Sequence, residues 1–228
     1  ISITASAGIH ETAEEEKTTG SFTAGADLVS SYVWRGFTQN AGPNLQPTVS
    51  FTYGGLTIGA WGSTNFIGTA KEVDFYLTYA TGAFSATITD YNWLFTQSYF
   101  NYDPKTTDHV YELSLNFAGV EKFPLSVSVN TMLLGADLNS VGEQGLSSYV
   151  ELAYPILPNA KLFVGGLLIS DGASNAYGFG NEGFNITNIG FKASKEIKFS
   201  ENFSLPVYGV IGINPGTEDA YLVAGITF

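Results

Sequence analysis

The sequence predicts an all-β chain, a single transmembrane antiparallel up-and-down β-barrel of about 12 strands. Three observations carry this: the last ten residues form one alternating strand, similar segments recur along the chain, and the connections between them alternate short and long.

The terminal segment, Asp219 to Phe228, reads D-A-Y-L-V-A-G-I-T-F. Ala220, Leu222, Ala224, Ile226 and Phe228 take one side, and small residues with Thr227 the other, the period-2 pattern of a half-buried strand. A strand at an edge leaves unpaired backbone groups, which a closed barrel removes by pairing its last strand with its first. Leu222, Ala224, Ile226 and Phe228 are therefore expected to face lipid, paired with the strand that carries Tyr32, Trp34 and Arg35.

Alternating segments lie near 22–37, 44–53, 56–66, 71–80, 84–95, 109–117, 124–135, 147–154, 160–169, 186–196, 204–213 and 219–228. Most are close to the ~9–11 residues of a tilted transmembrane strand. Gly54-Gly55, Thr81-Gly82, Pro155 to Asn159 and Phe199 to Asn202 are tight connections, and Ala118 to Phe123 is modest. Thr96 to Asp108, Ala136 to Leu146 and Ser170 to Asn185 are longer and rich in Gly, Asn, Asp and Ser. Short turns at one end and long loops at the other are a barrel habit that a soluble sandwich has no reason to follow.

Composition agrees. The 228 residues fit one all-β domain, with Gly (26), Tyr (13) and Phe (17) prominent. Charged residues make up 13%, about half the ~25% of a soluble domain, yet mean hydropathy is only +0.10. No window reaches the ~18 apolar residues of a transmembrane helix, so a membrane crossing is expected to use strands. The net charge of −12, with nine basic residues, argues against nucleic acid as a partner. Zero cysteine excludes a disulfide framework and thiolate metal sites. The first residues lack a basic region and an apolar core, so a signal peptide, if there was one, is expected to have been removed. Residues 1–20, with Glu11 and Glu14 to Glu16, read as an acidic polar periplasmic extension, and 21–228 as the barrel.

A lipid-facing wall requires each strand to have one charge-free side. Segment 71–80 sets Val73, Phe75, Leu77 and Tyr79 against Glu72, Asp74, Tyr76 and Thr78. Segments 109–117 and 147–154 place Glu112 and Glu151 on their inward sides in the same way, with Tyr149 beside Glu151. In segment 84–95 parity puts Asp90 outside with Phe84, Ala86 and Ile88. A β-bulge between about Ala86 and Asp90 is expected to turn Asp90 inward and Tyr91 and Trp93 outward. The aromatics Tyr32, Trp34, Tyr53, Tyr79, Trp93, Phe117, Tyr154 and Phe228 fall near strand ends, as interfacial belts do.

The stretch from Ala26 to Phe51 reads A-D-L-V-S-S-Y-V-W-R-G-F-T-Q-N-A-G-P-N-L-Q-P-T-V-S-F. Its Ser30 or Ser31, Tyr32, Val33, Trp34, Arg35, Gly36 and Gln39, with Gly59, Trp61, Gly62 and the aromatic C-terminus, resemble the TorF-type porin family of bacterial outer-membrane proteins. The likeness is strongest over about the first 60 residues and the last ten. It implies a fold and a place in the outer membrane, and no substrate.

Arg35, the only arginine, reads inward with Asp27. Among inward Glu72, Asp74, Glu112 and Glu151 it is expected to be ion-paired, since an unpaired buried charge is costly. It then serves either as a strut fixing register or as a constriction residue that orients a solute. Lys161 and Lys192 also read inward. Inward carboxylates outnumber inward basic groups, so an open lumen is expected to favour cations or neutral solutes. Twelve strands lie between filled and open barrels, and inward Trp61, Tyr76, Tyr149, Tyr208 and Tyr221 are expected to narrow or plug the lumen.

The expected function is porin-like passage of small solutes, without enzyme activity or cofactor. The alternative is a non-conducting accessory barrel within a larger outer-membrane assembly. A histidine catalyst has only His10 and His109 to draw on, and no nucleophile motif accompanies the Asp108-His109 pair. Asp103 and Asp108 match no calcium-loop spacing. The loop from Asp171 to Glu182 reads as a partner contact or lid. Expected partners are the lipid bilayer and lipopolysaccharide, other outer-membrane proteins, and, by resemblance of the C-terminal aromatic, the barrel-assembly machinery.

Overall fold

A computed structural model describes residues 19–201 and 203–228. The strands are β1 Ser21–Val29, β2 Tyr32–Trp34, β3 Phe37–Asn40, β4 Asn44–Tyr53, β5 Leu56–Asn65, β6 Lys71–Thr81, β7 Phe84–Tyr91 and β8 Val110–Phe117. They continue with β9 Ser126–Gly135, β10 Ser148–Leu157, β11 Ala160–Ile169, β12 Gly183–Ser200, β13 Phe203–Asn214 and β14 Asp219–Thr227. Every strand except β2 and β3 joins one closed antiparallel ring, β4 through β14 in chain order with β1 between β14 and β4. The last strand does pair with the first, Asp27 opposite Thr227 and Leu28 opposite Ile226, but that strand ends before Tyr32, Trp34 and Arg35, which the expected seam had included. Glu11, Glu14 to Glu16 and His10 lie outside the described residues.

One end of the ring carries the connections 54–55, 82–83, 118–125, 158–159 and the turn from β12 to β13, and the other carries 30–43, 66–70, 92–109, 136–147, 170–182 and 215–218, with the four longest connections all at this second end. Side chains sort by parity. Val73, Phe75, Leu77 and Tyr79 of β6 are exposed outside while Asp74 and Thr78 are buried inside. Leu222 and Phe228 likewise lie exposed.

Four of the five aromatics expected to narrow the lumen, and Phe163 with them, do not point across it. Tyr76 lies over Gly59, Tyr149 over Gly165, Phe163 over Gly190, Tyr221 over Gly212 and Tyr208 over Gly225, each glycine on a neighbouring strand. A Cβ at any of these glycines would collide with the ring. The rings thus lie flat on the wall and cover backbone, which explains why glycine recurs in strands where it is otherwise unfavourable.

Two expectations are corrected. The first strand does not run from 22 to 37; the wall strand stops at Val29. Ser30 turns the chain inward: its N–H donates to the Ala224 carbonyl at 2.8 Å and its hydroxyl accepts from the Ala224 N–H at 2.9 Å. Beyond it β2 and β3 form a hairpin with Trp34 opposite Phe37. Its two-residue turn, Arg35 (φ 54°) and Gly36 (φ 89°), has the left-handed pair of dihedrals of a type I′ turn. Gly36 is doubly required, because a Cβ there would strike the Thr187 carbonyl.

The predicted bulge between Ala86 and Asp90 is also absent. β7 pairs without a shift from Phe84↔Phe117 to Tyr91↔Val110. Asp90 stays on the outer face and Tyr91 faces in. The register shift lies one strand further on, between Tyr111 and Glu112 in the pairing with β9. Asp90 keeps its outward place because His109 Nδ1 lies 2.7 Å from its Oδ1.

Candidate functional site

The hairpin β2–β3 crosses the lumen near the loop end. Its tip docks on one wall, where Asn214 Nδ2 donates to the Gly36 carbonyl at 3.2 Å and Thr187 Oγ1 to the Arg35 carbonyl at 3.4 Å. From there the Arg35 guanidinium reaches β8, four strands away around the ring. Nη1 and Nη2 bind the two oxygens of Glu112 at 2.6 and 2.7 Å, a bidentate fork suited to guanidinium. The Glu112 side chain is fully buried and that of Arg35 only 10% exposed. Tyr91 OH and Ser114 Oγ donate to the same carboxylate, each at 3.1 Å. The guanidinium carbon lies 4.5 Å from the Trp34 ring centre and 4.9 Å from that of Tyr149.

Loop 170–182 closes over this crossing. Tyr177 stacks on Trp34 with ring centres 5.0 Å apart and planes at 11°, and its hydroxyl accepts from Arg35 Nη1. Burial pushes the Tyr177 phenol well above its ordinary range, so it stays neutral beside the guanidinium. Phe179 packs edge-on against Phe37. The loop is tied to loop 136–147 by Asp137, which accepts from Ser147 N–H at 2.9 Å, Ser147 Oγ at 2.7 Å and Ala176 N–H at 3.0 Å. Asp171 accepts in turn from the Ser140 N–H at 2.8 Å.

Between the hairpin and the β4–β7 wall a cavity of about 400 Å³ remains, lined by Tyr32, Asn44, Ser63, Glu72, Trp93 and Phe95 among others. A void of about 30 Å³, also touching Tyr32, Glu72 and Trp93, continues towards Trp34 and Tyr177. Asp74, beneath Glu72 on the same face of β6, is fully buried.

The remaining inward candidates line the wall towards the turn end. Asp27 accepts from Thr227 Oγ1 at 2.7 Å and Tyr208 OH at 3.3 Å. Glu151 accepts from Tyr149 OH at 2.6 Å, and Tyr221 OH donates to Asn188 Oδ1 at 2.6 Å. Lys161 and Lys192 stand directly opposite one another, with Lys192 Nζ 4.4 Å from the Tyr208 ring centre. Tyr76 lies over Gly59. Asp90 is not a lumen residue at all.

Of the predicted belt, Tyr53, Tyr79, Tyr154 and Phe228 are exposed on the outer face, and Phe117 packs there against Phe84 with centres 5.0 Å apart and planes tilted by 37°. Tyr32, Trp34 and Trp93 are corrected. They leave the outer face because the chain turns inward at Ser30 and because β7 has no bulge; Trp34 packs among Tyr91, Trp93 and Tyr177 inside. Tyr32 packs on Trp61.

Sequence reasoning missed Phe37, Tyr177, Phe179 and Asp137. A signal for two of them stood in the loop text: Y-G-F within a run of Gly, Asn and Ser places two large rings where a solvated loop has no use for them.

Beyond Trp93 and Phe95, which line the cavity, loop 92–109 folds over the outside of the upper wall, with Tyr99 edge-on to Phe75. His109 is fully buried there, its Nε2 2.6 Å from the Tyr99 carbonyl, so both ring nitrogens are occupied and neither faces a nucleophile. Asp108 turns to Thr96 Oγ1 and the Gln97 N–H, both at 2.7 Å. Burial raises this carboxyl, but those hydrogen bonds outweigh it and hold it below its usual range.

No family model matches the chain, and no curated protein matches it. Among solved structures it is similar to an outer membrane channel from Pseudomonas putida F1, with 10% identity and a TM-score of 0.40 over 95% of this chain and 98% of that one. A likeness at that level carries nothing about function.

Proposed function

We propose that this chain is a bacterial outer-membrane barrel with periplasmic termini that passes small neutral or cationic solutes past a built-in obstruction, the hairpin β2–β3 under loop 170–182. The inverted distribution of side chains supports this most directly. Large apolar residues such as Phe51, Ile58, Phe75, Leu77, Leu115, Ile211 and Leu222 are exposed around the outer wall, while Asn44, Gln46, Asp74, Glu112 and Asn130 are buried within. A soluble protein does not expose so wide an apolar surface, whereas a lipid-facing wall requires it. The sign of the solute follows from the lumen: Asp27, Glu72, Asp74, Glu112 and Glu151 face Arg35, Lys161 and Lys192, and Glu112 already neutralises Arg35. The Ser30 to Gly36 text and the aromatic terminus support membership of the TorF-type porin family.

A second reading has its own support. The Trp34-Arg35-Tyr177 stack and the Arg35-Glu112 fork fasten the hairpin to two separate elements, loop 170–182 and β8, as a permanently closed structural barrel would need. Planar-bilayer recording on protein verified as folded by heat-modifiable gel mobility decides between them. Discrete cation-favouring currents are expected; a wall that never conducts, including after Arg35→Ala, establishes the accessory barrel instead.

A further inference from the structure

We propose that solutes pass between the hairpin and the β4–β7 wall, to one side of the barrel axis, and that the contact of Trp61 with Tyr32 is the narrowest point of this route. The inference rests on the porin reading and adds to it the side of the hairpin that conducts and the residue that limits the flow.

The hairpin divides the loop end of the lumen into two unlike halves. On the side of β8 to β11 the space is filled. Tyr149, Leu167, Ile169 and Phe179 form one buried cluster with Phe37 and Tyr177 packed against it, and Val110 and Met132 form another with Tyr91 at the border of the two halves. Val110, Met132 and Leu167 are fully buried. An interior so apolar and closely packed leaves no path for water, and the Arg35-Glu112 fork ties the hairpin to β8 across it. On the side of β4 to β7 the inward residues are polar instead. Asn44, Ser63 and Glu72 line the cavity of about 400 Å³ together with Gln39 and Asn40 of β3. Gln39 is exposed, and the lining continues to the exposed residues Gly68 and Thr69, so the cavity opens at the loop end. A polar cavity of this size is roomy enough for water and for a small solute.

Trp61 forms the floor of that cavity. It lies two residues from Ser63 on β5, towards the turn end and therefore on the same inward face, and it stands opposite Asp74 as Ser63 stands opposite Glu72. The other four inward aromatics lie over glycines, but Trp61 packs on Tyr32, with ring centres 5.6 Å apart and planes at 59°. Tyr32 belongs to the hairpin, so this contact spans the gap between hairpin and wall. Beneath it the wall continues with Thr48, directly opposite Trp61, and then Ser50 and Thr57, all half-buried like the two rings themselves. Two rings that meet between polar surfaces above and below make a short apolar step, the kind of constriction that limits flow by width and by dewetting.

The chain has no cysteine, so a single introduced thiol reports on the route without background. Gln39→Cys and Ser63→Cys on the open side and Leu167→Cys on the filled side, each verified as folded by heat-modifiable mobility, are recorded in a planar bilayer before and after 2-(trimethylammonium)ethyl methanethiosulfonate. The reagent is expected to cut the current through both open-side variants by about twofold or more and to leave Leu167→Cys unchanged. Block at Leu167→Cys, or none at Gln39→Cys and Ser63→Cys, overturns the route. Trp61→Ala is expected to raise unit conductance by about twofold or more, and Tyr221→Ala, whose ring lies on Gly212, to leave it unchanged. Equal conductance in Trp61→Ala and the unaltered chain overturns the constriction. If Trp61→Ala lacks heat-modifiable mobility, Trp61→Leu in folded form takes its place with a smaller expected rise. The two failures are told apart by the unaltered chain: a folded barrel that never conducts overturns the porin reading and the route with it, whereas currents that respond on the wrong side overturn the route and keep the porin reading.

Discussion

The wall and the hairpin it encloses obey different rules. In the wall a residue's surroundings follow from odd or even position alone, so Val73 and Phe75 meet the outside and Glu72 and Asp74 the inside. In the hairpin, parity predicts nothing. Tyr32 and Trp34 carry the spacing of lipid-facing residues, yet lie inside against Trp61 and Tyr177. A wall residue is placed by its nearest neighbours in chain and ladder, whereas a hairpin residue is placed by partners far along the chain. The wall is therefore robust to single changes outside its glycines, and the hairpin depends on a few contacts.

The largest expected effect comes from breaking the hairpin's single ion pair. Arg35→Ala leaves Glu112 buried without its counter-charge, a loss of about 3–5 kcal/mol and hence a factor of roughly 10²–10⁴ in the docked-to-released ratio of the hairpin. Single-channel recording is expected to show longer or larger openings while heat-modifiable mobility persists. Loss of that mobility would mean that the hairpin is part of the wall's own stability.

Next is the wall. Gly212→Val forces the Tyr221 ring off the strand, and Gly225→Val does the same to Tyr208. Each is expected to cost about 1–3 kcal/mol through overpacking, read as a lower unfolding midpoint in urea. Valine at Gly54, in the exposed turn, should instead act only through backbone strain, its φ being 58°.

A smaller effect isolates the lid. Tyr177→Phe keeps the stack on Trp34 and removes the oxygen that accepts from Arg35, a loss of about 1 kcal/mol. Proteolysis of loop 170–182 is expected to quicken, with wall stability unchanged.

The smallest concerns loop 92–109. A carboxyl held below its usual range contributes above its ordinary pKa and loses that contribution as pH falls through the lowered value. Pepsin cleavage near Tyr99 and Phe100 is thus expected to rise steeply only below about pH 4, and Asp108→Asn should show the looser loop at every pH tested. An unchanged cleavage profile in that variant would show that the Asp90-His109 contact alone pins the loop.

What could be read in advance divides along the same line. Segments 44–53, 56–66 and 160–169 match β4, β5 and β11 closely, because apolar alternation and turn glycines are local. The stretch 22–37 misled because Ser30 and Ser31 interrupt the strand without breaking its alternation, while the informative Arg35-Gly36 turn sits inside it. Asp90 misled for another reason: an outward carboxylate became tolerable through His109, at the end of the loop before the next strand, a partner 19 residues away. The ion pair of Arg35 was foreseeable in kind. Its choice of Glu112 over Glu72, Asp74 or Glu151 was not, since that depends on where the hairpin tip docks.

The hairpin's contacts also impose an order on assembly. Arg35 and Gly36 meet partners 77, 142, 152 and 178 residues further along the chain. None of these docking points exists until β8, loop 170–182, β12 and β13 are in place, although the hairpin itself is made near the start. A pre-made turn of this kind waits inside a curling sheet and is trapped when β14 meets β1, as a ship is raised inside its bottle. Long-range closure of that sort is slow, and refolding followed by Trp34 fluorescence should lag behind the appearance of strand structure.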